Sequence, residues 1–221
     1  MINSVPTQTM AFIAGFLIYA AVSSVTAQEP PNPADTAAYK IDKILPALID
    51  SPEINAGNYK KQTRSKSKWL EVDLAFERDD RDDKSYSGDV RIDYFILLNN
   101  AKTQPDSKPT LLTGSISHSD IPVDKSLHAA AFVSPRALAK LFGGKTPSSV
   151  SQTILDLGVT ITANEQLVAI KTLKGSIVGD QGWWDTELNS MTSVSGLVLE
   201  KEKTPFAHLS WDYYLPTNSS Q

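Results

Sequence analysis

The sequence contains no cysteine among its 221 residues, which limits both its chemistry and the way its fold is held together. Without thiols it has no disulfide, no thiolate nucleophile and no Cys-ligated zinc or iron–sulfur centre. Exported domains often depend on disulfides, so an exported chain without them relies on its hydrophobic core. Hydrophobic residues make up 41% of the sequence, and a chain of this length buries most of its apolar surface in one main domain.

The charge pattern of a nucleic-acid-binding protein is also missing. The formal net charge is −4, whereas binding to phosphates requires a basic surface. One basic run, between Lys60 and Lys68, directly precedes a strand pattern and is interpreted as the solvated start of that strand. We therefore expect no nucleic acid among the partners.

A long apolar run occurs only near the amino terminus, from Met10 to Val22. It is shorter than the ~20 residues of a membrane-spanning helix. Val25 and Ala27 are small residues in the pattern of a signal-peptidase site, and the Pro-rich stretch 28–33 follows. These features predict a signal peptide over 1–27 and a secreted or cell-surface protein without a membrane span in its mature form. Because no Lys or Arg precedes the run, an uncleaved anchor is the alternative.

Two groups of histidine, serine and aspartate are candidates for catalytic or metal-binding residues. Ser117, His118 and Asp120 are close in sequence but lack the strand–turn–helix elbow of a serine nucleophile. His118, Asp120 and His128 do not have the spacing of zinc ligands. We interpret them as polar residues of strand ends and predict no catalytic residue and no metal site.

Two further motifs resemble ligand-binding loops only superficially. The acidic run 79–83 lacks the glycine and terminal glutamate of a calcium loop, and its arginines offset part of the charge. Gly143 and Gly144 follow a helix pattern, whereas a phosphate-binding loop precedes its helix. The first reads as a solvated hairpin tip and the second as a helix end, so we expect no cofactor and a protein that is not an enzyme.

Most of the chain has the alternating pattern of short β-strands. Val72, Leu74 and Phe76 alternate with acidic residues, and a second alternating run extends from Val90 to Leu98. Further strands are predicted over 111–118, 127–133, 150–161, 167–173 and 206–215. About seven short strands separated by turns are typical of a β-sandwich. The sequence therefore predicts a mainly all-β, immunoglobulin-like sandwich over 61–216.

Two short helices and a tail complete the predicted organisation. Asp35 could cap a helix that ends near Leu45, within a Pro-rich N-terminal segment over 28–60. Ser134 is predicted to cap a helix over 136–142 that is inserted between strands. Residues 217–221 are predicted to form a disordered tail.

Aromatic residues are concentrated near the C-terminus. Trp211 and Tyr213 alternate on the predicted last strand, so we expect both on its core side. Trp183 and Trp184 follow a glycine, and we consider them candidate interaction residues that could stack on sugar rings. The other interpretation is that one of them packs in the core while the second covers a loop.

Seven short segments are similar to sequence motifs of a known protein family. They are Leu111-Leu112-Thr113-Gly114-Ser115, Asp120-Ile121-Pro122, Leu127-His128, Ser134-Pro135-Arg136, Gly182-Trp183-Trp184, Thr204-Pro205-Phe206-Ala207 and Trp211-Asp212. Together they resemble a verrucomicrobial family of secreted, pilus-like proteins encoded beside type IV pilus genes. The resemblance implies an immunoglobulin-like fold related to archaeal pilus components, an extracellular structural role in a bacterium, and no catalytic residues.

The sequence supports two hypotheses of function. The first is a non-catalytic secreted protein of a type IV pilus or related secretion apparatus, which binds envelope proteins or itself through edge strands or apolar faces. The alternative is an extracellular carbohydrate-binding module that uses Trp183 and Trp184. The exposure of these two side chains distinguishes the hypotheses, because stacking on a sugar requires open ring faces.

Overall fold

The computed structural model describes residues 39–52, 68–79 and 88–218, all within one compact unit. Within these ranges no helix is both long enough and apolar enough to cross a membrane. The predicted signal peptide over 1–27 and the residues 80–83 of the acidic run lie outside the described residues.

Eleven strands and three short α-helices make up the described part of the fold. The strands are β1 (Tyr39–Ile49), β2 (Trp69–Arg78), β3 (Val90–Leu98), β4 (Thr110–His118), β5 (Asp124–Val133), β6 (Ile154–Ala163), β7 (Gln166–Thr172), β8 (Ile177–Val178), β9 (Gln181–Gly182), β10 (Thr192–Ser195) and β11 (Val198–Glu200). The helices are α1 (Pro135–Leu141), α2 (Val150–Thr153) and α3 (Trp183–Thr186), with 3-10 turns at Ala101–Thr103, Leu188–Ser190 and Lys201–Lys203.

The long strands form two sheets. The first has the strand order β1-β2-β5-β11, the second has the order β10-β4-β3-β6-β7, and β8 and β9 form a separate hairpin. The chain crosses from the first sheet to the second between β2 and β3, and again between β5 and β6. This Greek-key arrangement is that of immunoglobulin-like sandwiches. The predicted fold class is confirmed.

Alternating side chains build the core between the sheets. The even-numbered residues of β3, from Val90 to Leu98, are at most 1% exposed. Every second residue of β2, from Leu70 to Phe76, is equally buried. Each fully buried large apolar side chain stabilises the fold by about 1.5–3 kcal/mol relative to leaving it exposed. The sequence pattern of both strands therefore predicted the buried face correctly.

The predicted helix between Asp35 and Leu45 is wrong over its described part. Residues 39–49 form β1, which pairs antiparallel with β2 and contains a bulge between Ile41 and Lys43. The bulge brings Ile41 and Ile44 to the same buried face, three residues apart, which is the spacing of a helix. The sandwich therefore includes residues before 61, and Pro46 is tolerated because β1 is an edge strand.

The inserted helix is confirmed, with the cap that the sequence predicted. The backbone N–H of Ala137 donates to Ser134 Oγ over 3.2 Å, and Pro135 is the first helical residue. Gly143 and Gly144 end the helix with φ angles of 65° and 88°, which glycine adopts without strain. The pair is thus a helix end, as expected.

Two predicted strands differ from the structure. Val150 to Thr153 form α2, because Ser149 caps them, and β6 starts only at Ile154. Residues 206–215 form a series of turns instead of a strand. Ser210 has a φ angle of 53°, which an extended strand excludes.

The predicted tail is ordered at its start. The backbone N–H of Asn218 donates to Ser117 O over 2.7 Å, and Thr217 Oγ1 donates to Glu202 Oε2 over 2.7 Å. Residues 219–221 lie outside the described residues.

Candidate interaction surface

The outer face of the second sheet is covered by a tryptophan layer, which consists of Leu111, Trp183, Trp184 and Met191. Trp184 stacks on Phe95 of β3, with ring centroids 4.3 Å apart and planes 5° apart. It is only 3% exposed. A Cβ at Gly158 would lie 1.8 Å from Trp184 Cζ3, so only glycine at this position of β6 allows the indole to lie on the sheet.

Trp183 is buried in the same layer. It is 6% exposed, and its ring meets that of Trp184 edge to face at 5.4 Å. The alternative hypothesis, in which Trp183 and Trp184 form an interaction platform for sugars, is therefore wrong, because both rings are buried. Both rings cover the sheet, which the sequence could not show because Phe95 and Gly158, against which Trp184 packs, lie far away along the chain.

The outer face of the first sheet is covered by a different segment, residues 204–218, which we call the C-terminal strap and whose end reaches β4 of the second sheet. Phe206 anchors its start: it stacks on Phe132 with centroids 5.1 Å apart and meets the edge of Trp69 at 5.7 Å. Phe206 is 8% exposed. This end of the strap is held by apolar contacts.

Hydrogen bonds hold the middle of the C-terminal strap. Tyr213 Oη donates to Asp73 Oδ2 over 3.0 Å, and its ring stacks on His128 at 4.0 Å. Nδ1 of His128 lies 2.9 Å from Asp73 Oδ1. Tyr214 Oη donates to Glu71 Oε1 over 3.1 Å. Burial raises the pKa of Glu71 and of Tyr214, because the charged forms lose contact with water.

His118 fixes the end of the C-terminal strap. Its Nδ1 lies 2.9 Å from the carbonyl oxygen of Pro216, which can only accept, so Nδ1 carries the hydrogen. Nε2 is buried and has no hydrogen-bond partner among the residues that the structure describes. Burial lowers the pKa of His118 below its usual range, because the protonated ring would be cut off from water.

The residues considered for catalysis and metal binding are not brought together. Ser117 precedes His118 on β4 and projects to the opposite face, while His128 is bound to Asp73. Over the residues that the structure describes, no group of three or more His, Asp or Glu side chains is placed to hold a metal ion. The geometry of this region is that of structural anchors.

Large apolar side chains of the C-terminal strap remain in solvent. Trp211 is 72% exposed, Tyr213 46% and Leu209 44%. The prediction that Trp211 and Tyr213 lie on a core face is wrong, because the strap is not a strand and its turns direct Trp211 outward. The only indication of this exposed apolar surface in the sequence is the concentration of aromatic residues near the C-terminus.

The fold and these two covered faces define an immunoglobulin-like β-sandwich with structural anchors on both outer faces. A protein-family model matches residues 30–221, and the chain belongs to that family. A crystal structure of a protein from Akkermansia muciniphila is similar, with a TM-score of 0.67 and 17% identity over 81% of this chain and 92% of that one. At this identity the similarity establishes the fold. No curated protein matches the chain.

Proposed function

We propose that this protein is a non-catalytic, secreted structural protein of the bacterial cell surface that binds other proteins of a type IV pilus or related secretion apparatus. Membership of the family and the immunoglobulin-like sandwich support a structural role. The observation that carries the proposal is the exposure of Trp211, 72%, on a strap that is anchored on both sides of it.

An exposed tryptophan on a fixed segment is well suited to protein recognition. Tryptophan is enriched among the residues that contribute most to binding, since it brings a large rigid surface at low cost in conformational entropy. Leu209 and Tyr213 lie within two residues of Trp211 and extend the apolar surface. Because Phe206 and Tyr214 are anchored to the first sheet, Trp211 is presented on a preorganised surface.

Association through this surface is favoured over pairing through the long edge strand β1. The carbonyl groups of Ile41 and Asp42, at the bulge, accept hydrogen bonds from Lys171 Nζ over 3.2 and 2.8 Å. Pro46 lacks an N–H that a new strand could use. A bulge, a lysine and a proline are the features by which natural sheets prevent edge-to-edge pairing.

The test is a pull-down from the native cell envelope with the tagged chain. Pilus or secretion components should be recovered with the unchanged protein, and about tenfold less with Trp211→Ser. Leu188→Ser is the matched control, because Leu188 is 55% exposed and lies outside the strap. It should recover the same proteins as the unchanged chain.

Two results would contradict the proposal. Equal recovery with Trp211→Ser would remove the strap as the binding surface. Recovery of only the chain itself would support self-association and contradict the link to a pilus.

A further inference from the structure

A small cavity lies beside the tryptophan layer. Its volume is about 210 Å³, and its walls include Leu97, Asp156, Gly175, Val178, Trp183 and Glu187. This is smaller than the ~300–1,000 Å³ of most small-molecule sites, so it has room for a group of only a few atoms. No residue of the C-terminal strap is in its wall.

Trp183 contributes a buried hydrogen-bond donor without a partner. Trp183 is 94% buried, being 6% exposed, and its Nε1 finds no hydrogen-bond partner within the described chain. Buried donors are almost always bonded, because leaving one unpaired costs about 1–3 kcal/mol. An acceptor supplied by a ligand or by water in the cavity would complete the hydrogen bonding of this indole N–H.

Asp156 contributes a carboxylate with one bonded oxygen and a second oxygen, Oδ2, that has no hydrogen-bond partner in the described part of the chain. Its Oδ1 accepts hydrogen bonds from the backbone N–H groups of Leu157 and Lys174, over 2.8 and 2.9 Å. A Cβ at Gly175 would lie 2.5 Å from Asp156 Oδ2 and 2.8 Å from Trp183 Nε1. The free oxygen and the indole nitrogen thus both border the α-carbon of Gly175, and the absence of a side chain there lets the two groups lie close to each other.

Charge in the cavity favours a cationic ligand. Asp156 and Glu187 are both in its wall. The ammonium group of Lys174 donates to Leu155 O over 3.1 Å and is not in the wall. A ligand that fits must therefore donate hydrogen bonds to a carboxylate and, a few atoms away, accept one from an indole N–H.

The geometry points to a site for the amino terminus of a peptide chain. The α-ammonium group donates to Asp156 Oδ2 in a charge-assisted hydrogen bond, and Glu187 adds negative charge. The first carbonyl oxygen of the peptide accepts from Trp183 Nε1. A free amino acid is disfavoured, because its own carboxylate would face two others. Capture of a terminal amine is an established mode of peptide recognition.

This inference rests on the proposed function for the source of the peptide, since a protein partner would supply the terminus. The chemistry of the site can nevertheless be tested without any partner. If the pull-down fails and the titration succeeds, the proposed association with a pilus is contradicted and the peptide-terminus site is still supported. If the titration fails, the site is contradicted and the proposal for the C-terminal strap is unaffected.

The titration follows the indole N–H resonance of Trp183 by NMR in the ¹⁵N-labelled full chain, assigned through its backbone resonances. The probes are glycinamide, N-acetylglycinamide and glycine. Glycinamide should shift the Trp183 resonance in a saturable way, glycine should bind about tenfold more weakly, and N-acetylglycinamide should cause no shift because it lacks the ammonium group.

Asp156→Asn is the sharpest variant, because its amide oxygen can still accept from the two backbone N–H groups while the free carboxylate oxygen is lost. We expect glycinamide to bind at least about tenfold more weakly. Glu187→Gln, at an exposed position, should weaken binding about threefold, and Asp212→Asn on the strap should have no effect. Three results would overturn the inference and leave a cavity filled by water. They are the same response to all three probes, no response to glycinamide, and unchanged binding of glycinamide by both Asp156→Asn and Glu187→Gln.

Discussion

The two outer faces of the sandwich are covered in physically different ways. On the second sheet, Trp183 and Trp184 lie flat or edge-on against apolar neighbours. On the first sheet, the C-terminal strap is anchored partly by Phe206 and partly by hydrogen bonds to Asp73 and Glu71. The tryptophan layer on the second sheet depends on shape, whereas the C-terminal strap on the first sheet also depends on charge. Mutation and pH should therefore affect the two covers differently.

The largest effect is expected in the tryptophan layer. Trp184→Ala should lower the free energy of unfolding by about 3–5 kcal/mol, because a buried indole is removed and a cavity remains. Gly158→Ala should also be strongly destabilising, since its Cβ would overlap the Trp184 ring. Urea unfolding measures both.

The combination of these changes sharpens the test. In the Trp184→Ala background, Gly158→Ala should cost much less than it does in the unchanged protein, because the ring it collides with is gone. Additive effects would show that Gly158 is needed for a reason other than contact with Trp184.

A smaller effect is expected at the charged anchor of the strap. Asp73→Ala should lower the free energy of unfolding by about 2–3 kcal/mol, because Tyr213 and His128 both lose their bond to the carboxylate. Hydrogen exchange should increase at the backbone amides of Tyr213, Tyr214 and Leu215, while the tryptophan layer stays protected. Asp93→Ala, on the outer face of the second sheet, is the control and should leave exchange in the strap unchanged.

The pH dependence should act on the strap side. Burial holds the pKa of His118 below that of the unfolded chain, so the unfolded state gains a proton first as the pH falls. The contribution of neutral His118 to the free energy of unfolding is therefore fully present above about pH 6.5. Below that pH the free energy of unfolding decreases by up to about 1.4 kcal/mol per pH unit.

His118→Gln should flatten this part of the profile, as measured by urea unfolding between pH 7.5 and pH 5. The residual slope reports the other titrating groups. A variant as steep as the unchanged protein would show that His118 does not link acid to the strap.

The smallest effect is expected in the core beneath both covers. Tyr94 is fully buried, and its hydroxyl has no hydrogen-bond partner among the described residues. Tyr94→Phe should raise the free energy of unfolding by about 1 kcal/mol, because a desolvated hydroxyl is removed. A loss of stability in urea unfolding would mean that the hydroxyl has a partner, for example a buried water.

The tight turn between β6 and β7 shows how much of the fold is encoded locally. Asn164 and Glu165 have φ angles of 50° and 65°, as a two-residue hairpin requires. The alternation in β2 and β3 predicted the buried faces. These features depend on residues a few positions apart, so the sequence contains the information directly.

Elsewhere, long-range contacts overruled the local pattern. The spacing of Ile41 and Ile44 predicted a helix, but pairing with β2 and a bulge made this segment a strand. The aromatic pattern of 206–215 predicted a strand, but contacts of Phe206, Tyr213 and Tyr214 with the first sheet hold the segment across its outer face in a series of turns.

The candidate surface and cavity were decided almost entirely by the tertiary structure. The sequence by itself determined the β-rich sandwich, the capped helix α1 and the absence of cysteine chemistry, because periodicity, caps and composition are local properties. Only the tertiary structure decided that Trp183 and Trp184 are buried and Trp211 is exposed. The burial of these three tryptophans differs although their sequence surroundings do not predict a difference. A ring is buried only where a distant part of the chain, here Phe95 and Gly158, offers a surface for it.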